Sequence, residues 1–319
     1  MSAPISTSAP VSRASQRAAE LRVGHLDVRQ VRAFLHVAED LHFGRAAARL
    51  FIAQPALSRI IRTLEADVGV SLLERSTRRV RLTPAGEAFA AECRLALAHL
   101  GRAVNAAQAA AEGGEGRLRV GYMDFAINGR LPRLLQAFRA RHPRVNLDLQ
   151  YMPTALQHVA LLQGRIDVGF VIGEFASPKV ANLLVDRDDF VALLPDGHRL
   201  AARRQLSVGE LAAEPFVVGS DDTFSSFRVL MLSVCHAAGY VPRIVQQASS
   251  TTGILGMVAA GVGVTIFSGC ARNLRRSGVV LRPLADVKET ITTHACWVEE
   301  GPSSALSRFV EMLGTAAPP

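Results

Sequence analysis

The stretch Gln54 to Val68, QPALSRIIRTLEADV, constrains this chain more than any other. At about 100° per residue, Leu57, Ile61, Leu64 and Val68 fall on one narrow stripe, the mark of a helix with a single buried edge. Pro55, Arg59 and Arg62 project from the opposite side, flanked by Gln54 and Ser58. Pro55 suits the first turn, where a missing N–H costs nothing, and Gly69 supplies the stop. The helix therefore has an apolar back and a front of amide, hydroxyl and guanidinium groups. Arginine bonds bidentately to guanine and glutamine to adenine, in a groove that admits a helix. An ordinary solvated helix face has the same pattern, so the neighbouring segments decide.

Upstream, Val28 to Glu39 carries Val31, Phe34, Leu35 and Ala38 at helical spacing, and Arg45 to Leu50 (RAAARL) reads as a compact, alanine-rich helix. Its alanines let a second helix lie close, and a brief turn, Phe51 to Ala53, leads into that second helix. Two short helices joined this tightly, the second with a polar front, read as a helix-turn-helix. Downstream, Ser71 to Arg75 and Arg79 to Leu82 flank Ser76-Thr77-Arg78, a hairpin with a basic, hydroxylated tip suited to phosphate or minor-groove contact. A solvated loop that happens to be basic is the competing reading. Thr83 caps a long helix reaching toward Ala111, with Pro84 in its first turn. Its stripe of Phe89, Cys93, Ala96, Leu100, Val104 and Ala107 is too weak to bury itself and calls for a second copy as partner.

Gly113-Gly114-Glu115-Gly116 breaks that helix, and beyond it the pattern changes. Strands are expected at 118–120, 145–151 and 167–172, with helices at 131–141 and 155–163 between them. A second unit follows, with strands at 190–194, 216–218, 244–247 and 264–267 and helices at 225–238 and 252–260. A strand at 293–297 and a helix at 304–313 look like a return to the first unit. Alternation of this kind predicts an α/β fold with a largely parallel sheet, built as two lobes around a cleft.

The whole chain bounds the function. Its 319 residues suggest two or three domains, and 49% hydrophobic with 20% charged residues describes a globular protein. The formal charge is +8, carried almost wholly by arginine, since Lys179 and Lys288 are the only lysines. Up to Glu112 there are 15 Arg against 10 Asp plus Glu, so +5 of the excess leans to the N-terminal third, which permits phosphate contact. Met1 to Arg17 is Ser/Ala/Pro-rich and lacks the apolar block of a secretory signal, and no apolar run is long enough to span a membrane. The scattered Cys93, Cys235, Cys270 and Cys296 offer neither a metal site nor a disulfide framework, so reduced thiols in a cytoplasm, no metal and no cofactor are expected. No G-x-S-x-G, H-E-x-x-H or P-loop pattern occurs and the nine histidines are dispersed, which argues against an enzyme. A transport-type binding module would want a signal peptide and no basic N-terminal helix; a cysteine-based redox sensor would want closer thiols.

From about Leu26 onward the chain resembles the LysR-type transcriptional regulators. The resemblance rests on FLHVAEDLHFGRAAARLFIAQPALSRIIRTLEADVGVSLLERSTRRVRLTPAG, then LPRLLQAFRARHP, GRIDVGF and VAAGVGVTIF. Within the family it looks similar to the branch that responds to aromatic-degradation intermediates. The resemblance implies an extension (1–25, expected to be disordered), a winged helix-turn-helix (26–83), and a dimerisation helix with hinge (84–116). It further implies a two-lobed effector domain of periplasmic-binding-protein type II (117–319). Lobe 1 is expected at about 117–175 and 284–319, lobe 2 at about 176–283. It also implies a promoter-binding cytoplasmic homotetramer, a dimer of dimers, with double-stranded DNA, RNA polymerase and a small effector, aromatic or an organic acid, as partners. Carried onto matching positions, Gln54, Pro55, Ser58 and Arg59 read DNA from the helix and Arg75 touches it from the wing. Arg62 and Arg78, added from helical projection and charge, position phosphates. Ala53 stands where many members have serine or threonine, so one cap or phosphate contact is missing. For the effector the implied segments contain Phe125, Asn128, Thr154, Ser220, Thr223, Phe224, Thr251 and Thr252. Phe125 replaces a small hydroxyl residue and should fill volume. If those segments line the cleft, Asp124, Asp221 and Asp222 put negative charge at its mouth and disfavour a dianion.

Overall fold

In a computed structural model, which describes residues 26–75, 79–111, 116–299 and 301–315, the chain divides into two units near His99. The expected extension 1–25 lies outside the described residues. In the N-terminal unit, helix α1 (Val28–Asp40) starts at Asp27, whose carboxylate accepts from the Arg29 N–H at 2.9 Å. Gln30 answers by accepting from the Asp27 N–H at 3.0 Å, so two N–H groups without helical partners are satisfied reciprocally. Helix α2 (Phe43–Arg49) buries Ala46 and Ala47 and so lets its neighbours close in. Helix α3 (Gln54–Val68) ends at Gly69, which takes φ 79°. Leu57, Ile61 and Leu64 of α3 are fully buried with Phe34, Val37 and Leu72, as the stripe demands.

The wing is tied to the back of α3. Strands β1 (Leu73–Arg75) and β2 (Val80–Leu82) pair antiparallel with Leu73 opposite Leu82. Glu65 Oε1 accepts from the Leu72 and Leu73 N–H groups at 2.9 and 3.0 Å, fixing where the wing leaves the helix. Helix α4 (Pro84–Ala111) is capped by Thr83, whose Oγ1 accepts from the Gly86 N–H at 2.9 Å. A Cβ on Gly86 would sit 2.0 Å from the Leu72 carbonyl oxygen, so only glycine allows this approach. The stripe expected along α4 is divided. Phe89 and Cys93 pack into the N-terminal core, while Leu100 and Val104 stand exposed.

In the second unit, β3 (Arg117–Tyr122) pairs in parallel with β4 (Asn146–Tyr151) and β5 (Val168–Ile172). Helices α5 (Asp124–Asn128), α6 (Leu131–Arg141) and α7 (Thr154–Leu162) connect them. Strand β6 runs from Val180 to Pro195, far longer than the strand expected at 190–194. Its first part pairs with β11 (Thr290–Val298), which also pairs with β5. Its last part, from Phe190, pairs with β9 (Thr265–Ser268) and β10 (Val279–Pro283). One strand thus belongs to the sheets of both lobes, and the crossing falls inside it, beyond the boundary expected near residue 175. The segment VANLLVDRDD hides this: among its residues only Val180 and Val185 are buried, so it lacks an apolar alternation. Lobe 2 is completed by the parallel pair β7 (Pro215–Gly219) and β8 (Arg243–Ala248), with α8 (Asp221–Ala237) and α9 (Thr251–Ala259); α10 (Ser304–Thr315) closes the chain. Sequence reading missed α5 and β10 and began α8 four residues late.

Among the described residues no helix is long and apolar enough to cross a membrane. The four cysteines are buried, and burial pushes Cys93 up to about 11 and Cys270 and Cys296 up to about 12. Iodoacetamide at about pH 7.5 should therefore leave the native chain unlabelled and label it after unfolding in urea, since the thiolate is the nucleophile. Rapid native labelling would contradict this burial. Asp167 of the GRID stretch accepts from Arg119 Nη2 at 2.7 Å, Nε at 3.1 Å and the Arg119 N–H at 2.8 Å, with side chains 14% and 7% exposed for Arg119 and Asp167. Asp167→Ala strands a largely buried guanidinium and should cost about 3–5 kcal/mol. Urea unfolding followed by Trp297, the single tryptophan, reads this unit.

Candidate nucleic-acid interface and interlobe cleft

The outward face of α3 is built as the stripe requires. Gln54, Pro55, Arg59 and Arg62 are exposed and Ser58 is half-buried. No carboxylate lies between Gln54 and Arg62, so this face presents only positive charge and neutral polar groups. Arg62 Nε donates to the Ser58 carbonyl at 3.2 Å, which lays its side chain back along the helix. The two arginines of α2 are directed elsewhere: Arg45 Nη2 donates to the Asp40 carbonyl at 2.5 Å, and Arg49 pairs with Glu39 at 3.3 Å and Asp40 at 3.0 Å. Ala53 provides no side-chain hydrogen bond at the cap. Arg75 ends β1, opposite Val80, and Arg78 lies outside the described residues.

Phe51 was not singled out by the sequence beyond its place in a turn. Its φ is 55°, a left-handed conformation that a bulky residue adopts at a cost, and the residue is 95% exposed. The ring gives the fold no burial in return. It stands three residues before Gln54, at the entry to α3.

The interlobe cleft is nearly full. Phe125 packs on Phe227 and Phe267 with ring centroids 4.7 and 5.0 Å apart, and on Phe224 at 6.4 Å. What remains is a cavity of about 20 Å³, room for one water. Of the expected residues, Phe125, Thr154, Thr223 and Phe224 line it, joined by Met123, Ile172 and Phe227. Asn128 lines a separate cavity instead, and Ser220, Thr251 and Thr252 line neither. Ser220 donates to Asp222 at 2.5 Å, Thr251 is buried with its hydroxyl unpaired, and Thr252 lies 3.3 Å from the Ser250 hydroxyl. Thr154 Oγ1 accepts from the Ile172 N–H at 3.2 Å, which fixes the start of α7 against β5.

Of the three aspartates expected at the mouth, Asp124 lines the cavity and Asp221 and Asp222 do not, and each has a local partner. Tyr151 donates to Asp124 at 2.6 Å; burial and that hydrogen bond push the phenol pKa up. Asp221 pairs with Arg228 at 2.7 Å. Asp222 accepts from Ser220 and Thr223 within its own turn, and the Ser220 hydrogen bond holds its pKa down. Phe224 departs from helical geometry inside α8, at φ −115° and ψ 17°, so the ring that closes the cleft sits on a kink.

Comparison with known proteins agrees with both halves. Residues 28–87 match the model of the bacterial regulatory helix-turn-helix protein, lysR family, and residues 111–318 match the LysR substrate binding domain. The HTH-type transcriptional regulator AlsR of Bacillus subtilis (strain 168) is 33% identical over 273 residues, covering 86% of this chain and 89% of that protein. The crystal structure of CbnR, a LysR family transcriptional regulator, superposes with a TM-score of 0.63 at 27% identity, covering 92% of this chain and all of that one. Full-length CbnR complexed with its target DNA gives 0.57 at 29% identity over the same shares. The chain belongs to the LysR family of transcriptional regulators, joining a helix-turn-helix DNA-binding domain to a substrate-binding domain.

Proposed function

We propose that Gln54, Pro55, Ser58 and Arg59 read base edges in the major groove of a promoter operator, with Arg62, Arg75 and Arg78 positioning phosphates. The observation that carries this is the division of α3 into a fully buried stripe and an exposed face free of carboxylates. The complex of CbnR with its target DNA supports the same use of the N-terminal half. Phe51 adds an apolar contact at the groove edge, where its exposed ring meets sugar rather than solvent. Function is regulatory, not catalytic, and the chain works in the cytoplasm with RNA polymerase as its protein partner.

The operator is bound by paired copies, assembled as a tetramer. Three exposed apolar surfaces support self-association: Leu100 and Val104 on α4, Leu149, Tyr151, Leu156 and Val159 on lobe 1, and Val229, Val241 and Val245 on lobe 2. A small neutral or aromatic molecule, at most a monoanion, acts as effector in the interlobe cleft. The four phenylalanines and Asp124 support that preference, because they offer apolar surface and no positive charge. Entry requires Phe224 to swing out on its kink, so binding is coupled to a change at the mouth of lobe 2.

Arg59→Ala should cost about 1–3 kcal/mol on the DNA upstream of its own gene and little on scrambled duplex, in mobility-shift titrations. Equal losses on both would contradict base reading. Arg62→Ala should weaken both duplexes alike and lower the salt slope by about 1. Phe224→Ala should destabilise the second unit by about 3–5 kcal/mol, with benzyl alcohol restoring part of the Tm and muconate restoring none. Tight muconate binding in calorimetry would overturn the preference for a neutral or monoanionic ligand.

A further inference from the structure

At the C-terminal end of α5 the two lobes line a second cavity, open to solvent and separate from the phenylalanine-filled cleft. Its volume is about 500 Å³, within the range of small-molecule sites. Arg130 and Arg133 reach it from lobe 1, Asp186 and Asp188 from β6, and Arg272 and Asn273 from lobe 2. Ile127, Pro132 and Cys270 add apolar wall between these groups, so a bound molecule would be small and matched to charges of both signs.

The charges are not equivalent. Asp188 is already committed: it accepts from the Ser268 hydroxyl and the Cys270 N–H, and Arg272 lies 3.8 Å away. Asp186, two residues earlier, projects from the same side of the strand. Burial, and then the charge of Asp188, push its pKa up, outweighing the nearby Arg130 charge and the Arg187 and Arg130 N–H groups, which act the other way. Across the cavity Arg133 is exposed and the Arg272 side chain is 48% exposed, so both guanidinium groups are accessible. The walls themselves are held: Asn273 Nδ2 donates to the Asn128 carbonyl at 2.7 Å across the lobes, and Arg130 Nη1 donates to the Val185 carbonyl at 2.9 Å.

We propose that this cavity binds a small zwitterion of the α-amino-acid type, its ammonium toward Asp186 and its carboxylate toward Arg133 and Arg272. Both lobes and the strand that joins them supply the walls, so occupancy favours one interlobe angle over others. Helix α5 is common to the two sites: Phe125 near its start plugs the cleft, and Asn128 at its end lines this cavity. A zwitterion here therefore biases the cleft without entering it.

The test is calorimetry and thermal shift on the full chain with the standard L-α-amino acids, one at a time. For each amino acid that binds, the matching acid without the amine and the matching amine without the carboxylate serve as controls. At least one amino acid should bind and raise the Tm, and neither half-molecule should do so. R272A and D186N should each weaken that binding about tenfold or more, whereas T154A in the cleft should leave it unchanged. R133A, at an exposed position, serves in place of any variant whose unliganded Tm falls. The proposal is overturned if no amino acid binds, if the simple acid binds equally well, or if T154A rather than R272A abolishes binding. DNA binding by the unliganded chain is the separate readout of the helix-turn-helix, so its loss would count against that reading and not against this one.

Discussion

Burial of Leu57, Ile61 and Leu64 against Phe34, Val37 and Leu72 sets the rotation of α3 about its own axis, and with it everything the N-terminal unit can do. Each such side chain contributes about 1.5–3 kcal/mol through its removal from water. A rotation by one residue, about 100°, would bring polar side chains into the core and apolar ones to the surface. Such a penalty holds Gln54, Pro55, Ser58 and Arg59 outward. The bonds from Glu65 to the wing and the close approach at Gly86 then place β1, β2 and the start of α4 relative to the same helix. The exposed face of α3 is thus polar, but its geometry is imposed from behind by apolar packing, the two hydrogen bonds from Glu65 and the close approach at Gly86.

The second unit depends on a different device. Because β6 is hydrogen-bonded into the sheets of both lobes, one of the two connections between them is a continuous strand, the other being the short segment 284–289 that leads from β10 back to β11. Movement of one lobe against the other must bend that strand, a small-amplitude motion compared with a loop hinge. The phenylalanines at the cleft fill the volume that lobe opening would expose, which favours the closed arrangement in the absence of a ligand. A ligand that occupies the cleft must replace the ring contacts it disrupts, and aromatic or apolar chemistry does so at least cost.

Much of this was legible in the sequence because the signals were local. The limits of α3, the cap at Thr83, the stop at Gly69 and the helix Leu131–Arg141 follow from apolar spacing and the chemistry of single residues. The length of β6 was not legible, since its first ten residues carry a mixed face that depends on β11, about a hundred residues later. The state of the cleft was half legible. A phenylalanine at 125 announces lost volume, but its packing on Phe227 and Phe267 is a tertiary fact. Thr251 and Thr252 follow the same logic: they lie at the right turn in sequence, yet the turn directs one inward to the lobe 2 core and the other outward. Phe51 left no signal in composition, because exposure at positive φ is visible only in three dimensions.

The most direct measurement of the central claim, that α3 reads DNA sequence, is selection of binding sites from a randomised duplex library by the full chain. The account predicts enrichment of one motif with inverted half-sites, separated by about one helical turn or a multiple of it. Enrichment should disappear when Gln54 and Arg59 are both alanine, while weak binding to bulk duplex persists. Recovery of the same motif by that double variant, or no motif with the native chain, would contradict it.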